Sequence, residues 1–278
     1  STGGALNATA TGGGLRYGTL SARGVVLSST GLLAATTPVT GVSGGAITSS
    51  AADPEQAIRI TAASGLVSLG ALTAASGALS VNASGGGLSV GSVTARTLTL
   101  SAGAGVTAGA LNSTIGDLHV TAGQGSIAYT TATSAGRVVM SANRPVGSSA
   151  VAAISGGAIT ARGVPGVNDL PFTIDLASAA GSVSTGALSA TVGNIQVVAS
   201  GGAFSASTVA ARTRFVASAG QGLTLTSFSV TAGGASLSAG AGLTVGSGTT
   251  TGSMSLSSAG HASLGNLTAS AGTLTATS

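Results

Sequence analysis

A phrase of about 20 residues recurs along this chain, and so short a period leaves few folds open to it. The clearest pair is SLGALTAASGALSV at 68–81 and SLGNLTASAGTLTA at 263–276. Between them the phrase recurs in looser form: a small residue or Gly, an apolar residue, Thr or Ser, Ala, a short turn, apolar-x-apolar, then a small residue and Gly. With the second apolar residue of that triplet as anchor, the series runs Leu27, Ile60, Val81, Leu100, Val120, Met140, Leu176, Val197, Ala217, Leu237, Leu256 and Ala276. From Ile60 the steps are 21, 19, 20, 20, 36, 21, 20, 20, 19 and 20 residues. A unit this small cannot bury an apolar face alone, so neighbouring units must stack on one another.

Within each unit the period is two, as in Leu98-Thr-Leu100, Leu118-His-Val120, Ile174-Asp-Leu176 and Ile195-Gln-Val197. Alternation of this kind marks a half-buried strand. No stretch sustains the i, i+3, i+4 spacing of a helix. Short Gly-bounded strands do not make long hairpins, but they do make coils in which each rung bonds to the next. The pattern therefore predicts an all-β fold, a single-stranded parallel β-helix or β-solenoid of about twelve rungs, continuous over residues 1–278. Rungs of such a fold stack about 4.8 Å apart, like residue over like. Two steps are long: Leu27 to Ile60, with AADPEQ at 51–56, and Met140 to Leu176, with VPGVNDLP at 164–171. They hold Pro38, Pro54, Pro145, Pro165 and Pro171, and read as loops inserted near 48–57 and 143–173. Solenoids place insertions at their turns.

Composition narrows the core and the partners. With 47 Gly, 2% aromatic residues and no Trp, few side chains can fill a wide interior, so the core must be thin. A 43% hydrophobic content excludes the disordered class, which combines low hydrophobicity with high net charge. The net charge of +4 comes from nine Arg and five acids, without the clustered cations and stacking aromatics of a nucleic-acid binder. Ser, Thr and Gly interrupt every apolar stretch, so no membrane insertion is expected. STGGALNATA is not a signal peptide, so the expectation is that one was removed or that this is a piece of a longer chain. The lack of Cys fits an extracellular or bacterial cell-surface setting that does without disulfides.

The rung pattern at 66–142 and 176–278 resembles the filamentous-haemagglutinin type of secreted bacterial exoprotein, through GSVTARTLTLSAGAG (91–105), GDLHVTAGQG (116–125) and GASLSAGAGLTVGSG (234–248). That resemblance implies a right-handed β-helix exported by the two-partner route through an outer-membrane pore protein. It also implies an adhesive or spacer role, with a host-cell or matrix glycan or protein as partner. The Asn-Pro-containing motif of that family's secretion domain does not occur here, so the segment reads as rod rather than export signal. End-to-end self-association into an extracellular or biofilm filament is the alternative reading.

Little in the chain suggests catalysis. Asp53, Glu55, Asp117, Asp169 and Asp175 are its only acids; Asp53 and Glu55 share one inserted loop, and Asp169 and Asp175 flank the other. Paired carboxylates can hydrolyse or lyse a glycan, but loops gather charge because they are solvated. These four are candidate recognition residues rather than catalytic ones, and no enzyme activity, cofactor or metal is expected. His119 and His261 stand alone, without neighbours at ligand spacing. Ala-Arg recurs at Arg23, Arg96, Arg162 and Arg212, which reads as a solvated corner position. Asn7, Asn82, Asn112 and Asn266 open glycosylation sequons. An ice-binding array would need threonines repeating in register, and Thr97/Thr99 and Thr131/Thr133 do not.

Overall fold

The computed structural model describes residues 4–30, 40–50, 57–143, 152–163 and 172–278. The chain is an all-β parallel β-solenoid of about twelve turns, built from 29 strands, with no helix among the described residues. Contacts divide it into two compact units, residues 1–133 and 134–278.

In the first unit each turn has three short faces. The second turn, for example, runs through Gly24–Ser29, Thr40–Gly44 and Ile47–Ser49. Each face stacks in parallel on its counterpart in the adjacent turns: Gly24–Ser29 lies between Ala5–Ala10 and Ile58–Ala62. The anchors fall opposite one another on the first face, Leu27 to Ile60, Ile60 to Val81, Val81 to Leu100, and Leu100 to Val120. All five are buried. A further turn precedes them, with Ala8 opposite Leu27. Hydrogen bonds run from turn to turn. Val67 N–H donates to Gly87 O at 2.9 Å, Leu88 N–H to Gly105 O at 2.9 Å, and Val106 N–H to Ser126 O at 2.8 Å. This arrangement satisfies the backbone of a chain that has little side-chain volume to bury.

The first face carries three inward columns. Val25, Ile58, Leu79, Leu98 and Leu118 enter, the anchors hold the centre, and Ser29, Ala62, Ala83, Ala102 and Ala122 leave. The exit column is small because the backbone turns a corner there.

The second unit repeats this plan. Met140, Leu176, Val197, Ala217, Leu237, Leu256 and Ala276 follow one another in register. Here volume is exchanged between neighbours. Phe215 enters the turn in which Ala217 holds the centre, and the next turn reverses the order with Ala235 and Leu237. Phe215 also meets Phe228 of the third face, ring centroids 5.8 Å apart and tilted by 53°. The stretch 143–173, expected as one loop, contains two strands of an ordinary turn, Ile154–Gly156 and Ile159–Ala161. They stack on Val183–Thr185 and Leu188–Ala190. Three-residue strands between Pro-containing segments carry too little alternation to be read from sequence.

Candidate binding surface

Outward positions are as regular as inward ones, because parallel pairing in register carries both. In the first unit Thr9, Ser28, Thr61, Asn82, Ser101 and Thr121 form one outer column. Ser21, Thr48, Thr73, Thr94 and Asn112 form another, on the third face. In the second unit Ser155, Ser184, Ser205, Thr224, Thr244 and Ser263 line the second face. Neighbours within a column bond to each other: Ser205 Oγ to Ser184 Oγ at 3.2 Å, and Thr249 Oγ1 to Ser229 Oγ at 3.2 Å. Hydroxyl columns therefore recur in register, although threonine alone does not. The ladder mixes Ser, Thr and Asn, so a search for threonine alone misses it.

The candidate recognition acids separate. Asp53, Glu55 and Asp169 lie outside the described residues. Asp175 is not in a loop but in the strand Ile174–Ser178, on the outer side between Val139 and Gln196. Burial pushes its carboxyl above the ordinary carboxylate range, against an opposing pull from Arg137, and its Oδ1 has no hydrogen-bond partner. Arg137 Nε donates to Phe172 O at 2.7 Å.

His119 has a carboxylate neighbour after all. Its Nε2 lies 3.7 Å from Asp117 Oδ2, both side chains being partly exposed, at 45% and 37%. Residues two apart on a strand share a face, and that spacing brings the pair together. Among the described residues no group of three or more His, Cys, Asp or Glu could hold a metal ion. Burial raises the phenol of Tyr17 to about 12 and that of Tyr129 further still, so neither is a neutral-pH acid.

Arg23, Arg162 and Arg212 each follow the third-face strand of their turn, and Arg96 lies within Val93–Ala102 where the register shifts between Ala95 and Thr97. Their side chains are exposed, with Arg96 half-buried. Their carbonyls take part in the corner: Ser49 Oγ donates to Arg23 O at 2.6 Å, Ser113 Oγ to Arg96 O at 2.9 Å, and Thr191 Oγ1 to Arg162 O at 3.1 Å. The donors Ser49 and Ser113 are buried and stand where other turns place Ala. Ser178 does the same at the end of the first face, donating to Ala180 O at 3.2 Å and Gly181 O at 3.0 Å. A buried hydroxyl of this kind satisfies carbonyls that water does not reach. Nothing in the sequence distinguishes these serines from outward ones.

Of the sequon asparagines, Asn7, Asn82 and Asn266 are exposed and Asn112 is half-buried, all on outward strand positions. A hollow of about 270 Å³ on the second unit is lined largely by hydroxyls, including Ser229, Thr231, Thr249, Thr251, Thr268 and Ser270.

The fold and this surface define a β-solenoid repeat protein. Compared with protein-family models, with curated proteins and with solved structures, the chain shows no match to any of the three.

Proposed function

We propose that the chain is a non-catalytic structural or adhesive segment, a stalk or spacer, of a bacterial cell-surface or secreted exoprotein of the filamentous-haemagglutinin type. One observation carries this reading. Turn after turn repeats its neighbour's register on both the inner and outer columns, with shifts between Thr40 and Val42 and between Ala95 and Thr97. Such a design extends by adding turns. The weakly charged, hydroxyl-covered exterior and the absence of Cys fit an extracellular setting. The resemblance of the phrases at 91–105, 116–125 and 234–248 supports the choice of that type.

The test uses the native source. Antibody against this segment should label the surface of intact cells, or the medium, and protease added to intact cells should remove the label. Label confined to the cytoplasm would overturn the proposal.

A further inference from the structure

The second unit contains one groove whose chemistry differs from the hydroxyl columns around it. It is open, about 450 Å³, and lined by Asn194, Thr213, Arg214, Gly234, Ala235, Ser236, Ser253 and Ser255. A volume of this size suits a small ligand. Its form follows from the stacking. Arg214 begins the strand Arg214–Ala219 on the outer side of the first face, and its counterpart in the next turn is Gly234. A long cationic side chain thus stands beside a position with no side chain. The hollow is fixed in place, because a Cβ at Gly234 would meet the backbone carbonyl of Ser253. Beyond it the wall is made of short hydroxyls, Ser236 paired with Ser255, and Ser253, whose Oγ accepts from Thr273 N–H at 3.3 Å.

The guanidinium of Arg214 is exposed and makes neither a hydrogen bond nor an ion pair among the described residues. A guanidinium presents a planar fork that fits one carboxylate in two parallel hydrogen bonds. Around it lie an amide, Asn194, and the hydroxyls of Thr213, Ser236, Ser253 and Ser255, which match the hydroxyls of a sugar ring. From this we infer that the groove binds an acidic glycan, with the carboxylate of a uronate-type sugar on Arg214 and its hydroxyls on the serines. A single cation amid neutral donors suits one carboxylate per site. A polysulfated chain would want clustered cations, and an acidic peptide would want apolar walls for its neighbouring side chains. The inference goes beyond the structural role and stands without it, since binding is read on the purified chain wherever the protein is displayed.

Calorimetric titration of the whole 278-residue chain at low salt tests it, with trigalacturonate, neutral galactotriose, a heparin tetrasaccharide and a triglutamate peptide as probes. Trigalacturonate should bind about tenfold or more tightly than the neutral sugar, as a charge-assisted pair implies. Arg214→Ala should erase that difference, Arg214→Lys should restore part of it, and Arg212→Ala should leave it unchanged. Ser236→Ala should weaken the acidic sugar more modestly, by about two- to tenfold. Circular dichroism establishes that each variant keeps its β-structure. The inference is overturned if trigalacturonate fails to bind at about 10 mM or binds Arg214→Ala as well as the parent. Heparin or triglutamate binding at least as tightly as trigalacturonate would overturn it too.

Discussion

The two units solve the same packing problem differently. The first keeps a uniform aliphatic centre, Leu27, Ile60, Val81, Leu100 and Val120, with Val, Ile or Leu beside each. The second trades volume within and between turns, setting Phe215 against Ala217 and Ala235 against Leu237. In the second unit a large residue at one inward position stands with a small one at the other. Both units also lay an aromatic ring over a glycine of the adjacent turn. A Cβ at Gly44 would strike the ring of Tyr17, and one at Gly248 that of Phe228.

The largest expected effect breaks that exchange. Phe215→Ala should cost about 3–5 kcal/mol, and Leu100→Ala in the first unit about 2–5 kcal/mol, in urea unfolding followed by circular dichroism. The double variant Phe215→Val/Ala217→Val keeps the summed side-chain volume nearly constant, gives the second unit the first unit's aliphatic pair and should cost less than about 1.5 kcal/mol. A loss as large as that of Phe215→Ala would show that shape, rather than shared volume, sets the packing.

Next come the ring-over-glycine contacts. Gly44→Ala and Gly248→Ala should each cost about 1–3 kcal/mol by overpacking. Adding Phe228→Leu should recover part of the Gly248→Ala loss, and a lack of recovery would place the strain in the backbone instead.

The buried corner hydroxyls rank third. Ser113 Oγ donates to Arg96 O at 2.9 Å and also lies 2.8 Å from Gly116 O, so Ser113→Ala in the first unit should cost about 1 kcal/mol. Ser178→Ala should match it in the second, and no loss at either would make the hydroxyl dispensable in that unit.

The smallest effect is a pH dependence confined to the second unit. The folded carboxyl of Asp175 titrates above its ordinary value near 3.8, so the unfolded chain ionises first. Stability is then fullest below that value and falls as pH rises through the folded one. Asp175→Asn should remove this fall from stability measured across the acidic range, and an unchanged profile would assign it to another group.

How much of this the sequence discloses depends on strand length. On the first face, five-residue runs such as Leu98–Ala102 carry three inward residues, enough to set the period and the register. On the second and third faces, runs such as Leu88-Ser-Val90 and Val93-Thr-Ala95 carry two, which the Gly-rich background hides; the three-faced cross-section was therefore not legible. The first turn is not legible because Ala8 is too small to mark an anchor. The strands at 154–161 were masked by the prolines on either side. Ser113 and Ser178 share their residue type with dozens of outward serines, and only the pairing shows which way they face. The groove at Arg214 depends on Gly234, one turn away, a relation that no local motif records.

The two long turns add residues at matching places. In each, the extra chain falls between the first and second faces and again after the third, around Thr40–Gly44/Ile47–Ser49 and around Ile154–Gly156/Ile159–Ala161. The three-strand stacking is preserved on either side, with one shift in register, between Thr40 and Val42.

The turn-to-turn hydrogen bonds also decide how such a chain yields to force. Each turn is held by its neighbours rather than by bonds to itself, so tension on a terminus loads one ladder at a time, as in a zipper. The coil should pay out turn by turn, each ordinary turn of about 20 residues releasing roughly 65–70 Å of thread. Such a molecule would lengthen in small, repeated steps instead of rupturing at once.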